Sequence, residues 1–177
     1  MDMTNSPVAL LLVGLCLATF AGLLAWAAYG DVRRYLIPNR ISLLVLATYA
    51  IFSLSAAILP DFYPSINWFS GLITGGAVLT VGLVLFARGI MGGGDVKLLA
   101  STSVWAGTAY VYDLLMTTAL VGGLLAVAVA LIRLRQPQPA SAESAPVADV
   151  ALPYGVAIAA GGIVVAGRLG LAFWNAA

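Results

Sequence analysis

Six long apolar runs, separated by short polar segments, dominate the chain and predict membrane-spanning helices. A hydrocarbon core about 30 Å thick requires roughly 20 apolar residues per helix. The six runs cover residues 8–28, 41–59, 68–87, 96–112, 114–132 and 152–173. The fourth run is the most polar, because it contains Ser101, Thr102 and Ser103. The pattern therefore predicts an all-α, polytopic membrane protein with about six transmembrane helices.

Basic residues cluster around the ends of the odd-numbered runs, and this asymmetry predicts the orientation of the chain. Cytoplasmic loops of membrane proteins carry an excess of lysine and arginine. After the first, third and fifth runs the sequence places Arg33, Arg34, Arg40, Arg88, Lys97, Arg133 and Arg135. Arg168, near the end of the sixth run, is the exception. We expect both termini outside and the loops after the odd-numbered runs in the cytoplasm.

The segment 136–148 differs in composition from the rest of the chain. It is rich in Pro, Ala, Ser and Gln and carries one acidic residue, Glu143. Such a composition is typical of a flexible linker and not of a folded domain. We therefore expect a single transmembrane domain over residues 1–177, with a flexible cytoplasmic linker at about 136–148. Because the other loops are short, any functional site must be built from helix ends and loop residues.

Composition restricts the chemistry that the chain can perform. It is 62% hydrophobic and only 8% charged, against about 25% charged in typical soluble domains. A net charge of +1 argues against a nucleic-acid-binding surface. The absence of histidine excludes Ser-His-Asp and Cys-His catalysis and histidine-ligated metal sites. Cys16 is the only cysteine, so no disulfide can form within the chain.

Two aspartates flank apolar runs and are both predicted on the cytoplasmic side. Asp31 follows the first run, and Asp95 precedes the fourth. Two facing carboxyl groups can share one proton and activate a water molecule, as in aspartic proteases. The alternatives are structural: Asp31 could be an ordinary flanking charge, and Asp95 could be the N-cap of the fourth helix. Their placement on one face favours the functional interpretation.

Three consecutive glycines precede Asp95, and Lys97 follows it closely. The glycines Gly92, Gly93 and Gly94 could form a flexible turn. Alternatively, they could use positive φ angles to turn Asp95 toward a partner and to let the backbone approach a substrate. A phosphate-binding loop is a poor match, because the sequence has no Gly-Lys-Ser/Thr motif and no preceding strand.

Three sequence elements together carry a family resemblance. They are Asp31 with Ile37-Pro38-Asn39, the Gly92-Gly93-Gly94-Asp95 block with Lys97, and Leu152-Pro153-Tyr154-Gly155 at the start of the sixth run. With the number and order of the runs, they resemble the prepilin peptidases of type IV pilus systems. These are membrane aspartic proteases with a Gly-x-Gly-Asp motif, and the chain is most similar to the short forms of tight-adherence (Flp) pili. The resemblance covers nearly the whole chain.

The resemblance implies a function and a set of site residues. Asp31 and Asp95 would form the catalytic dyad that cleaves the leader peptide of a prepilin at the cytoplasmic face of the bacterial inner membrane. Residues that would bind substrate or support the site are Gly92, Gly93, Gly94, Lys97, Pro38, Asn39, Pro153 and Tyr154. We expect no metal and no organic cofactor. The first cytoplasmic loop, about 29–40, has no cysteine, so methyltransferase activity is not expected.

Two other functions are compatible with the same helices. The chain could be a non-enzymatic membrane scaffold of a pilus or secretion assembly, or a small ion-coupled transporter. None of the six runs has an acidic residue near its middle, which argues against an ion path.

We expect the dyad to have two separate pKa values. Arg33, Arg34 and Lys97 should lower the lower value, and desolvation should raise the higher one.

Overall fold

The chain forms a bundle of α-helices in the computed structural model, which describes residues 7–58, 68–135 and 152–176. Within those residues there are five helices and no strand, which confirms the all-α prediction. The helices are α1 (Pro7–Arg34), α2 (Asn39–Ile58), α3 (Trp68–Ala87), α4 (Gly93–Arg135) and α5 (Tyr154–Ala176). Helices α1, α3, α4 and α5 are long and apolar enough to cross a membrane. The predicted linker at 136–148 lies outside the described residues.

The boundary between the fourth and fifth predicted helices was wrong. The sequence placed it at Asp113, between runs 96–112 and 114–132, whereas residues 93–135 form the single element α4. Its interruption is at Gly107, where φ is 53° and ψ is −166°. This region of backbone conformation is essentially restricted to glycine. Asp113 instead lies within the helix, and its carboxylate pairs with Arg168 at 3.4 Å.

The chain reverses direction at Gly107. Before it, Thr102 lies against Gly162 of α5; after it, Leu114 lies against Gly161, and Gly122 lies against Ala157. Gly94 and Gly155 both lie against Ile37, so the residues before Gly107 run in the same direction as α5, and the residues after it run in the opposite direction. A straight helix of 43 residues would be about 65 Å long, more than twice the thickness of a bilayer core. We call the two limbs α4a (residues 93–106) and α4b (residues 108–135).

Trp105 joins three helices in the core of the bundle. Its ring stacks on Phe20 of α1 with centroids 4.4 Å apart and lies 5.2 Å from the ring of Phe52 on α2. Its indole N–H donates to the backbone oxygen of Val45 at 3.1 Å, which satisfies the buried donor. These contacts fix α4a against α1 and α2.

Close packing of α3 fixes α4a from the other side. Gly71 lies against Val104, Gly75 lies against Val104 and Ala100, and Gly82 lies against Val96. A methyl group on any of these glycines would overlap its neighbour on α4a, so the small residues allow the two backbones to approach. The order of the contacts shows that α3 and α4a are antiparallel. The start of α4a therefore lies at the same end of the bundle as the end of α3.

One end of the bundle collects the two aspartates and most of the cationic residues. The helix ends found there are Arg34 of α1, Asn39 of α2, Ala87 of α3, Gly93 and Arg135 of α4, and Tyr154 of α5. We call it the aspartate end. Of the eight Lys and Arg residues in the sequence, seven belong to the segments at this end, and only Arg168 lies elsewhere. Arg168 forms an ion pair with Asp113, which balances its positive charge.

Candidate active site

Asp31 lies in the last turn of α1 and is almost fully buried, with 5% of its surface exposed. It lies beyond the apolar run that ends at residue 28. Its Oδ2 accepts a hydrogen bond of 2.6 Å from the backbone N–H of Gly155. The donor belongs to the first turn of α5, so the end of α1 and the start of α5 meet at this carboxylate.

A tight turn after Asp31 returns the chain toward the site. Tyr35 has a φ of 51°, in the left-handed region, and its N–H donates to the backbone oxygen of Asp31 at 2.8 Å. A left-handed residue at this position commonly ends a helix. Residues 36–38 that follow form neither helix nor strand, and α2 begins at Asn39. As a result, Ile37 lies beside both aspartate-bearing segments.

Asp95 lies in the first turn of α4a and is half-buried. It is not the N-cap that one interpretation of the sequence predicted, because α4 begins at Gly93 and the N–H of Val96 already donates to the oxygen of Gly92 at 3.1 Å. The side chain turns back over Gly92 instead. A Cβ on that glycine would lie 2.8 Å from Oδ2 of Asp95. Like Asp31, Asp95 flanks an apolar run and lies outside it.

The side chain of Ile37 packs between the two halves of the site. A Cβ on Gly94, the residue before Asp95, would lie 3.2 Å from Cβ of Ile37. A Cβ on Gly155, the residue that binds Asp31, would lie 3.0 Å from Cδ1 of Ile37. Neither Ile37 nor Gly155 was among the predicted site residues. Both belong to elements that it singled out, Ile37-Pro38-Asn39 and Leu152-Pro153-Tyr154-Gly155.

The three glycines before Asp95 serve close packing and not an unusual backbone conformation. The positive φ angles in the described chain belong to Tyr35, Gly89 and Gly107, so the positive φ proposed for Gly92–Gly94 was wrong. A Cβ on Gly93 would lie 3.2 Å from the ring of Phe86 on α3. Together with the contact of Gly94 and Ile37, this shows that larger side chains would crowd α3 and the segment between α1 and α2.

The remaining predicted residues lie at the starts of α2, α4a and α5. Lys97 is exposed, and its Nζ donates to Oδ1 of Asn39 at 2.9 Å, which links α4a to the start of α2. The backbone oxygen of Pro38 accepts from Ile41, and that of Pro153 accepts from Val156, in the first turns of α2 and α5. The ring of Tyr154 lies toward Gly122 of α4b.

Burial raises the pKa of both carboxyl groups. For Asp31 the rise due to burial is opposed by the hydrogen bond from Gly155, which lowers the pKa. Burial, followed by the charge of Asp31, raises the pKa of Asp95 to about 6. The sequence predicted that Arg33, Arg34 and Lys97 would lower one pKa of the pair. The group that lowers the pKa of Asp31 is instead the backbone N–H of Gly155. The charge of Asp31 contributes to the pKa of Asp95, so the two carboxyl groups are close enough to interact.

These features define a polytopic membrane protein with two aspartate carboxyl groups at one end of its helix bundle. Residues 8–127 match the family model described as the type IV leader peptidase family. The match covers more than half of the chain, and the protein belongs to that family. The matched range contains both aspartates and ends before α5. No curated protein and no solved structure matches the chain.

Proposed function

We propose that the protein is a membrane aspartic endopeptidase that removes the short leader peptide of type IV or Flp prepilins. Asp31 and Asp95 form its catalytic dyad at the cytoplasmic face of the bacterial inner membrane, and both termini lie outside. The observation that supports this function is the position of the two carboxyl groups at one end of the bundle, where the charge of buried Asp31 acts on half-buried Asp95. Membership of the type IV leader peptidase family supports the class of substrate.

The chemistry needs one proton shared by the pair. The ionised carboxylate takes a proton from a water molecule, and the resulting hydroxide attacks the scissile carbonyl carbon. The protonated carboxyl group donates to the carbonyl oxygen as the tetrahedral intermediate forms. When this intermediate collapses, the C–N bond breaks and the amine leaves with the proton taken from water. The hydroxyl proton of the intermediate returns to the second carboxyl group, so the dyad again holds one proton.

The substrate is a prepilin whose apolar helix lies in the bilayer and whose basic leader lies in the cytosol. The cut falls next to a glycine, where the substrate backbone must be extended. The aspartate pair lies just beyond the apolar runs, at the depth of such a junction. Between α1 and α2 only residues 35–38 are non-helical, and they contain no cysteine. We propose peptidase activity alone, without methyl transfer and without a metal or organic cofactor.

Separate Asp31→Asn and Asp95→Asn variants test this function. The purified proteins are incubated in detergent with candidate prepilins, and mass spectrometry identifies the new N-terminus. Loss of general acid or base catalysis costs about 10²- to 10⁴-fold, so each variant should lose cleavage while still inserting into the membrane. Asp113→Asn is the matched control, because this aspartate pairs with Arg168 away from the aspartate end.

The outcomes separate the alternatives. Full cleavage by either Asp31→Asn or Asp95→Asn would exclude the dyad, whereas loss of cleavage by Asp113→Asn would indicate a general structural defect. A non-enzymatic scaffold would tolerate both substitutions at the pair. A transporter would show a transport defect without accumulation of any precursor.

A further inference from the structure

The two carboxyl groups of the pair have different hydrogen-bond partners. Oδ2 of Asp31 accepts from the N–H of Gly155 at 2.6 Å, in a buried bond between residues 124 positions apart. Within residues 7–58, 68–135 and 152–176, no donor is bonded to the carboxyl group of Asp95. A backbone N–H bonds a carboxylate more strongly than a neutral carboxyl group, so this contact stabilises the ionised form of Asp31.

The packing around Gly155 is a second, independent observation. A Cβ at this position would lie 2.8 Å from Oδ2 and 3.0 Å from Cβ of Asp31, and 3.0 Å from Cδ1 of Ile37. Atoms of two different segments therefore enclose the glycine from two sides. Any larger side chain must displace either Ile37 or Asp31. The close approach of the amide to the carboxylate requires glycine at this position.

We infer that Gly155 is a positioning residue whose amide holds Asp31 as the ionised member of the pair, an assignment that rests on the function proposed above. Asp31 is then the base that takes the proton from water, and Asp95 carries the proton that is donated to the scissile carbonyl oxygen.

Other charged and titratable groups at the aspartate end bear on a pH test. They are Tyr29, Arg33 and Arg34 on α1, Tyr35 directly after it, Arg40 on α2, Arg88 directly after α3, Asp95 and Lys97 on α4a, Arg133 and Arg135 on α4b, and Tyr154 on α5. These groups are the same in the parent protein and in the glycine variants below, so a difference between two pH profiles does not arise from them.

Gly155→Ala tests the inference through the pH profile of kcat/KM for leader cleavage. We expect the acidic limb, which reports ionisation of Asp31, to move up by about one pH unit while the alkaline limb stays in place. At a pH on the acidic limb, kcat/KM should fall about 10-fold. Gly167→Ala is the matched control on the same helix, since no atom lies within 4 Å of a Cβ there. Its profile should equal that of the parent.

A second variant separates positioning from packing. Combining Gly155→Ala with Ile37→Val removes Cδ1 of Ile37. Asp31 is then the neighbour that the new methyl group displaces. If Gly155 positions Asp31, the displaced acidic limb persists in the double variant. A profile restored to that of the parent would reduce Gly155 to a packing residue. A displaced alkaline limb would reverse the two roles, and either result overturns the inference.

A measurement on proteins with an intact Gly155 covers the case in which these variants fail to fold. Infrared difference spectra at about pH 5 detect the protonated carboxyl group of the parent, and this signal should be absent from Asp95→Asn but present in Asp31→Asn. The opposite assignment overturns the inference. Failure of the proposed function is distinct, because it would appear as absent cleavage by the parent protein or as full cleavage by Asp31→Asn or Asp95→Asn.

Discussion

At the scale of single residues, Asp31 and Asp95 have unequal environments although both carry the same group. Asp31 is almost fully buried and accepts a backbone hydrogen bond, whereas Asp95 is half-buried and faces the charge of Asp31. Like charges at close range disfavour double ionisation. The charge of Asp31 therefore adds to burial in raising the pKa of Asp95 to about 6.

The raised pKa of Asp95 predicts a stability that depends on pH. A carboxyl group whose pKa rises on folding stabilises the fold below its unfolded pKa of about 3.9, and this contribution is lost as the pH rises through about 6. Asp95→Asn removes the charge that the folded state disfavours. We expect this variant to exceed the parent in free energy of unfolding by about 1–3 kcal/mol at about pH 7.5, discounted for partial exposure.

Thermal unfolding in detergent at two pH values checks this prediction. The difference between Asp95→Asn and the parent should disappear below about pH 4, where the carboxyl group is protonated in both states. Asp113→Asn is the control, since it loses an ion pair and should not gain stability. An Asp95→Asn variant that is less stable than the parent at about pH 7.5 would contradict a pKa raised by burial.

The sequence predicts the aspartates better than their partners. Each aspartate is recognisable because it is an acidic residue at the edge of an apolar run. Gly155 is different, because its contact with Asp31 joins residues 124 positions apart and depends on how α1 and α5 pack. Ile37 looks like a linker residue in sequence, and only the turn at Tyr35 brings it between Gly94 and Gly155. Local patterns contain no information about such tertiary contacts.

At the scale of elements, the break in α4 shows what hydropathy can and cannot detect. A charged residue between two apolar runs predicts a loop, and Asp113 is such a residue. The backbone reverses at Gly107 instead, because glycine can adopt a φ of 53° with a ψ of −166°. Asp113 remains in the helix, where Arg168 supplies a counter-charge. The described residues form five helices where six were predicted, because the fourth and fifth predicted helices are the single element α4, which reverses at Gly107.

Gly107→Ala should destabilise the protein. A Cβ at this residue would require a strained backbone conformation and would lie 3.0 Å from Oγ of Ser70. Strain of this kind costs about 1–3 kcal/mol, which denaturation of the purified variant in detergent can measure. Gly123→Ala is the matched control within α4b, because no atom lies within 4 Å of a Cβ there. It should be neutral or more stable by up to about 1 kcal/mol. Equal stability of the two variants would argue against the reversal at Gly107.

At the scale of the whole molecule, helix direction and helix spacing bring the aspartate pair together. The first limb of α4 starts beside the end of α1, and α5 starts beside both. The aromatic contacts of Trp105 and the glycines of α3 hold α4a in that place. The apolar runs predict how many times the chain crosses the bundle. They do not predict which helices touch, because lipid-facing and buried surfaces are both apolar.

The distribution of charge over the bundle leads to a prediction of topology. Seven of the eight basic residues belong to the aspartate end, and the proposed orientation puts this end in the cytoplasm. Arg88 is exposed near the aspartate end, and Thr108 is exposed beside the reversal at Gly107. In a Cys16→Ser background, a membrane-impermeant maleimide should label Thr108→Cys in intact spheroplasts and Arg88→Cys only after lysis. Labelling of both residues from one side would contradict the reversal in α4. The inverse pattern would place the aspartate pair outside, where it could not meet a prepilin leader in the cytosol.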